Sequence, residues 1–304
     1  LVIGTRSAVF APLPNLGMIV IDEEQEHTYK SDMSPKYHAR VVAAFRIGRA
    51  KGLLLLASAT PSVESYYKAR SGQYALVELT ERYGDARLPE VYIDDMRKNA
   101  LGGNLSHFGA LLTEKMNETL SRGEQAILFL NRRGYNAFLT CRDCGEAVLC
   151  PRCSVSLTRH KESGRDYLLC HYCGYRAAIP HECPSCHSAH LAFMGYGTQK
   201  VEEAFGEKFG GAYHASLLRM DADTTTKKSA YDELLGKFRA HRADVLLGTQ
   251  MVAKGHDFPD VTLVGVLNAD AALYLDDFRA GERTFSVLTQ VIGRAGRAAK
   301  RGVA

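Results

Sequence analysis

Eight cysteines fall between Cys141 and Cys186 in four C-x-x-C pairs, and the rest of the chain contains none. The pairs are Cys141/Cys144, Cys150/Cys153, Cys170/Cys173 and Cys183/Cys186. A C-x-x-C turn presents two thiolates to one tetrahedral ion, so four turns supply two sites of four thiolates each, the donor set of zinc. Disulfides are the competing chemistry, but they staple short, cysteine-dense secreted chains, and here the cysteines form one island in a long cysteine-free sequence. Which turns share an ion is left open by the spacing. His171, His181 and His187 flank the ligands and are expected to be bystanders, since eight thiolates complete two tetrahedra.

Carboxylates mark a second place where chemistry is possible. The apolar run Met18–Ile21 leads into Asp22-Glu23-Glu24-Gln25, which puts acids at the C-terminal tip of a buried strand, where open α/β sheets bind ligands. There a first acid can hold Mg2+ and a second can orient a hydrolytic water. A second run, Leu53–Ala57, ends in Ser58-Ala59-Thr60-Pro61. By itself that ending is also what a helix N-cap followed by proline requires. Further on, Gly248-Thr249-Gln250-Met251-Val252-Ala253-Lys254-Gly255-His256-Asp257-Phe258 follows another apolar strand and offers amides and hydroxyls to phosphate. Gln290-Val291-Ile292-Gly293-Arg294-Ala295-Gly296-Arg297 carries two arginines three apart, suited to neutralising a phosphoryl-transfer transition state.

The elements that must position these groups alternate between short apolar runs and helical stretches. Strands are expected at Leu1–Ile3, Met18–Ile21, Leu53–Ala57, Tyr74–Leu79, Ala126–Leu130, Ala192–Gly195, Leu217–Met220, Asp244–Leu247 and Val261–Leu267. Helices are expected at Tyr37–Arg49, Val63–Ser71, His107–Arg122, Gln199–Lys208, Lys228–Ala240 and Arg283–Gly293. Continuous apolar strands separated by helices imply parallel sheets buried on both faces. Residues 81–104, with their charges, Pro89 and Gly102-Gly103, carry little periodicity and are expected to link two domains, 1–80 and 105–304, the second interrupted by a cysteine-rich insert at 140–190. The opening Leu1-Val2-Ile3-Gly4 has the look of the end of a buried strand, so a fragment with its first domain cut is expected.

At 304 residues the chain has room for two domains and a small insert, and 46% hydrophobic with 24% charged residues is a globular composition. No apolar run approaches the roughly 20 residues of a membrane span, so no membrane partner is expected. Metal-bound thiolates suit a reducing compartment, and the cytoplasm is the default. A net charge of +4 permits nucleic-acid binding without requiring it.

In this order, D-E-E-Q, S-A-T, G-T-Q-M-x-x-K-G-x-D and Q-x-x-G-R-x-G-R resemble motifs II, III, V and VI of the superfamily 2 helicases. Gly4-Thr5-Arg6-Ser7, the string Phe129-Leu130-Asn131-Arg132-Arg133-Gly134-Tyr135 and the eight cysteines after it narrow the resemblance to the primosomal, replication-restart helicases of that superfamily. It covers essentially the whole chain. It implies an α/β fold of two RecA-like parallel-sheet domains, the first truncated, with a zinc-binding insert in the second.

The resemblance also implies roles. Asp22 binds Mg2+ and Glu23 acts on the hydrolytic water. Ser58 and Thr60 couple the nucleotide site to DNA, with Gln25 standing where many relatives have histidine. Arg294 and Arg297 reach the triphosphate with Gln290 alongside, Thr249, Gln250 and Lys254 line the DNA face, and Asp257 serves the nucleotide side. Tyr37 lies in a segment, Tyr29–Arg40, that corresponds to a DNA-sensing aromatic loop. The cysteines pair in a nested way, Cys141, Cys144, Cys183 and Cys186 on one ion and Cys150, Cys153, Cys170 and Cys173 on the other. The implied cofactors are ATP, Mg2+ and two Zn2+. The implied activity is ATP-dependent 3′-to-5′ unwinding of stalled or forked DNA for replication restart, with single-stranded DNA, single-stranded DNA-binding protein and primosome proteins as partners. A superfamily 2 translocase without unwinding and a DNA-binding scaffold are the alternatives. No G-x-x-x-x-G-K-[ST] occurs in the chain, so these residues alone are expected to be inactive.

Overall fold

In the computed structural model the described residues are 1–81, 88–101, 106–131, 138–162, 164–194, 197–221, 224, 228–249, 258–275, 277–296 and 302–304. The fold is α/β and divides into two compact units, Leu1–Thr80 and Glu81–Ala304.

The first unit is built on two parallel strands, β1 (Met18–Ile21) and β2 (Leu53–Leu56), paired from Met18↔Leu53 to Ile21↔Leu56. Their connection is α1 (Ala39–Ala50), and α2 (Val63–Arg70) follows. His38 caps α1 by accepting the Arg40 N–H at its Nδ1, 3.3 Å away, and Lys51 ends it in the left-handed conformation at φ +54. Ser62 caps α2, with Glu64 in the first turn and Lys68 and Arg70 in the last, matching the helix dipole. Val9, Ile21, Ala39 and Ala43 form the small core.

The second unit carries a parallel four-stranded sheet in the order β11-β3-β10-β9. Its strands are β3 (Gln125–Leu130), β9 (Leu217–Met220), β10 (Val245–Gly248) and β11 (Val261–Leu267). β3 is apolar after Gln125 and buried throughout because it is covered on both faces. Ile127 and Phe129 pack with Leu235 and Phe238 of α7 (Lys228–Arg239) and Val291 of α8 (Ala280–Ile292). Ala126, Leu128 and Leu130 pack with Met116 of α4 (Ala110–Ser121) and Val201 and Phe205 of α5 (Thr198–Phe205). α5 runs on through a π turn at Gly206–Gly210 into α6 (Gly211–Tyr213). The buried Gln125 amide donates to the carbonyls of Phe238 and Ala243 at 2.8 and 2.9 Å, which satisfies the one polar side chain in the strand.

A separate antiparallel sheet, β7-β6-β5-β4-β8, forms the cysteine-rich insert: β4 (Phe138–Cys141), β5 (Thr158–Glu162), β6 (Arg165–Leu169), β7 (Arg176–Ala177) and β8 (Leu191–Met194). Among the described residues no helix is long and apolar enough to cross a membrane.

Two differences from the sequence reading concern the strands. The apolar runs Leu1–Ile3 and Tyr74–Leu79 form no strand and stay largely exposed, the Tyr74 N–H donating to the Lys68 carbonyl at 3.2 Å. The run at 192–195 is a strand through Met194, Gly195 lying outside the described residues, but it pairs antiparallel with β4 and belongs to the insert. A short apolar run encodes burial, not the direction of its partner. The segment 81–104 carries α3 (Met96–Leu101) and joins the edge of the large sheet. Glu90 and Tyr92 donate to the carbonyls of Gly302 and Ala304, and Asp94 accepts the Leu111 and Leu112 N–H groups at 3.0 and 3.2 Å, capping α4 from a distance.

Candidate functional site

The four C-x-x-C turns share one backbone design. In each, the first cysteine's carbonyl accepts from the residue after the second cysteine, Gly145, Ser154, Gly174 or His187, at 2.9 Å. Each first cysteine then donates its own N–H one residue further on, to Glu146, Val155, Tyr175 and Ser188. This closes the turn so that both Sγ atoms point inward, and it requires the residue after the second cysteine to have positive φ: +80, +55, +71 and +61 in chain order. Glycine meets that need twice; Ser154 and His187 carry a left-handed strain of about 1–2 kcal/mol each.

The turns converge in two groups: Cys141, Cys144, Cys183 and Cys186, and Cys150, Cys153, Cys170 and Cys173, the Sγ atoms of each group all within 4.8 Å of one another. Cys141 and Cys186 are 3.6 Å apart, while Cys144–Cys183 and Cys150–Cys173 are each 3.7 Å. Zinc–sulfur bonds of about 2.3 Å at tetrahedral angles give edges of about 3.8 Å, whereas a disulfide needs about 2.05 Å. The spacing fits a shared ion.

Acidity in the two groups points the same way. Burial raises the Cys183 thiol, but the N–H groups of Cys186 and Ser185 and the neighbouring thiols bring it down to about 7. The Cys173 N–H draws Cys170 down to about 7. Their neighbours answer in the opposite sense. Hydrogen bonding to Cys173, then burial, pushes Cys153 up to about 12. The Glu146 N–H pulls on Cys144, yet burial and three adjacent thiols outweigh it and push that group up to about 12. Four thiolates so close repel one another, and a divalent cation would offset that repulsion.

Side chains that the spacing did not reveal brace the outer group. Asp143, inside the first turn, accepts from Ser188 Oγ at 2.5 Å and contacts His190 Nδ1 at 3.1 Å, joining the two halves. The Ser188 hydrogen bond and then His190 hold its carboxyl below the usual range. Tyr274 donates its hydroxyl to the Gly145 carbonyl at 3.1 Å and accepts Ser156 Oγ at its own carbonyl, tying the insert to the loop after β11.

The first unit holds the acidic strand end. The β1–β2 ladder continues one step past the strands, with the Ala57 N–H on Ile21 O at 2.9 Å and the Glu24 N–H on Ala57 O at 3.1 Å. That register brings the two loops together. Gln25 Nε2 donates to Glu23 Oε2 at 2.7 Å, Ser58 Oγ donates to Gln25 Oε1 at 2.5 Å, and the Thr60 N–H donates to Ser58 Oγ at 2.9 Å. A continuous chain therefore runs Glu23–Gln25–Ser58–Thr60. Glu23 sits at φ +48, and its N–H is held by Asp22 Oδ1 at 3.0 Å, while the Asp22 side chain is exposed at the tip. Non-glycine residues in this conformation cluster at functional sites.

Glu24, which the sequence reading assigned no role, is the one acid that turns inward and is 2% exposed. It accepts the Ser62 N–H at 2.6 Å and pairs with Arg40 Nη1 at 2.6 Å, and the Ser65 hydroxyl donates to it at 3.0 Å. It fastens the start of α2 to the β1 tip. Nothing in D-E-E-Q marks which acid is structural. Tyr37 is half-buried rather than presented outward, its ring edge-on to Phe10 at 4.9 Å with the Arg6 guanidinium 5.8 Å away.

In the second unit Thr249 directly follows β10, Gln290 lies on α8, and Arg294 lies in the turn after it. That turn is tied back to the large sheet by the Gly296 N–H on Val261 O at 3.3 Å, with Gly296 at φ +66. Gln250, Lys254, Asp257 and Arg297, and Arg132–Tyr135 of the string after β3, lie outside the described residues.

Comparison with known proteins adds to this geometry. Residues 193–299 match the helicase conserved C-terminal domain, and residues 150–177 match the PriA DNA helicase Cys-rich region domain. The replication restart protein PriA of Bacillus subtilis is 51% identical over 302 residues, covering 99% of the chain and 37% of that protein. Those of Synechocystis and Treponema pallidum are 45% and 42% identical, each over 99% of the chain and over 37% and 44% of their own lengths. The chain thus spans less than half of the curated relatives it matches. S. cerevisiae Dbp5 bound to RNA and ADP BeF3 aligns over 95% of the chain and 52% of that chain, at 19% identity and a TM-score of 0.41, a likeness too loose to bear on function.

Proposed function

The chain is kin to the PriA replication restart proteins along 99% of its own length, and on that premise we propose that it is motor sequence of an ATP-dependent DNA helicase that unwinds forked DNA in the 3′-to-5′ direction. The observation that supports this best is the hydrogen-bond chain Glu23–Gln25–Ser58–Thr60 across the tips of two parallel strands. In the proposed mechanism Asp22, exposed and hard in donor character, would hold Mg2+, which supplies charge neutralisation at the transferring phosphoryl group. Glu23 orients the attacking water. Gln25 ties that carboxylate to Ser58, so any displacement of the β2 tip moves the acid, which is how DNA contact reaches hydrolysis. Arg294 and Arg297 neutralise phosphate charge with Gln290 beside them, and Asp257 serves the nucleotide.

Thr249, Gln250 and Lys254 face DNA, and Tyr37 contributes to sensing it. The two cysteine groups would hold zinc as structural ions, keeping the insert rigid for contacts at the fork with single-stranded DNA-binding protein and primosome proteins in the cytoplasm. With no G-x-x-x-x-G-K-[ST] for the phosphates, the chain by itself is expected to hydrolyse no ATP.

ATP hydrolysis by the complete protein, with and without forked DNA, tests the reading. Fork-stimulated turnover that falls about a hundredfold or more in Glu23→Gln while nucleotide binding persists is the expected result. Unchanged turnover in that variant removes Glu23 from its role, turnover without a displaced strand points to a remodelling translocase, and no hydrolysis at all points to a scaffold.

A further inference from the structure

The zinc-ribbon hairpin carries a pair of histidines that neither thiolate group uses. His160 lies on β5, cross-strand from Tyr167 on β6, and His171 is the first residue inside the Cys170–Cys173 turn. Their Nε2 atoms face each other at 3.2 Å, with ring centroids 5.0 Å apart at 65°. His160 is half-buried and His171 is exposed. His160 stacks on Tyr167 at 5.7 Å and 30°, and the Arg176 guanidinium lies 4.9 Å from the other partner of that stack, the Tyr167 ring. The backbone at His171 is fixed by the closed turn, in which the Gly174 N–H donates to Cys170 O and the Cys170 N–H to Tyr175 O, at 2.9 Å each.

From this geometry we propose that His160 and His171 form a third metal site, a two-histidine chelate for a borderline divalent transition ion such as Zn2+ or Ni2+. Two nitrogens bound to one ion at about 2.0–2.1 Å stand about 2.9 Å apart at a right angle and about 3.3–3.4 Å apart at the tetrahedral angle, and the observed 3.2 Å lies between. Imidazole is the ligand class that suits these metals. Binding would use the lone pair of each Nε2, the two atoms that already face each other. The remaining coordination positions are left to water; Glu162, two residues along β5 from His160, pairs with Arg176 at 3.1 Å. The site is therefore exchangeable, unlike the closed thiolate groups. It is also conditional on its neighbour: an ion held by Cys150, Cys153, Cys170 and Cys173 would order the turn that carries His171, so filling that group favours filling the histidine pair.

The test is Ni2+ binding to the zinc-loaded complete protein, followed by equilibrium dialysis with both metals counted. One equivalent of Ni2+ should bind without release of zinc, and it should be lost in His160→Ala and in His171→Ala with both variants keeping their zinc. His160→Phe, which keeps a ring on Tyr167 but has no nitrogen ligand, should lose it as well and guards against a folding defect. Ni2+ should also protect these two histidines from carbethoxylation. Ni2+ bound equally well by the variants, Ni2+ that enters only as zinc leaves, or no bound Ni2+ at all would overturn the proposal.

Discussion

At the residue scale, two features set the energetics of the sites. The first is the burial of Glu24. Its side chain is 1% exposed while that of its partner Arg40 is 18% exposed, and a single Nη1 serves Glu24 Oε2, Ser62 Oγ and Ser65 Oγ. Removing one member of a buried pair leaves the other uncompensated, so Arg40→Ala is expected to destabilise the first unit by about 3–5 kcal/mol. Ser62→Ala, which removes a helix cap, should cost about 1 kcal/mol. Urea unfolding of the complete protein checks both; a loss in Arg40→Ala no greater than in Ser62→Ala would mean the pair is not the fastener. The second feature is the left-handed residue that closes each cysteine turn. At Gly174 a Cβ would meet nothing within 4 Å, so Gly174→Ala isolates the backbone cost, about 1–2 kcal/mol. His187→Gly and Ser154→Gly should shift resistance to chelation the other way. Equal chelator sensitivity in all three variants would refute the account.

At the scale of elements, the insert and the parallel sheet draw on different sources of stability. Cys150 and Cys170 are themselves part of the insert core, alongside Leu139, Val148, Leu157 and Leu168. The two cores flanking the parallel sheet contain no cysteine. Stripping zinc with a chelator should therefore expose the insert amides, such as that of Leu168, to hydrogen exchange while those of Phe129 and Leu246 stay protected. Loss of both sets together, or of neither, would show that the insert is not an independently closed element. Among the described residues the insert meets the rest of its unit through side-chain contacts such as Tyr274 with Gly145 and Phe138 and Arg97 with the Cys144 carbonyl, so the insert is expected to melt without unravelling the parallel strands.

At the scale of the whole molecule, the two units are unequal. The second has apolar clusters on both faces of its four-stranded sheet. The first has two strands covered on one face, and on the other Met18, Val20, Leu53 and Leu55 remain 54%, 54%, 55% and 45% exposed. Two strands with one covered face are marginal in water. Residues 81–304 prepared alone with zinc should unfold cooperatively, whereas residues 1–80 alone should be largely unfolded or aggregate. Circular dichroism melts decide it, and a cooperative transition in 1–80 would contradict the inference.

What the residues by themselves determined is the chemistry and the class of fold. Periodic apolar runs such as Ala126–Leu130 imply strands buried on both faces, and C-x-x-C turns imply thiolate sites, because burial and ligand type are local properties of side chains. Pairing is not local. Whether the run at 192–194 joins a parallel sheet or closes an antiparallel insert depends on a partner more than fifty residues away. The identity of the acid in D-E-E-Q that turns inward is likewise set by a partner on another element, Arg40, 16 positions along the chain. The bridge from Glu23 through Gln25 to Ser58 exists only because β1 and β2 pair in one register, which sets two loops side by side that the chain separates by 33 positions. Likewise, the grouping of eight cysteines into two tetrads, left open by spacing, is decided by the antiparallel pairing of β4 with β8 and β5 with β6. Contacts of this kind arise from register and topology, which only the folded chain supplies.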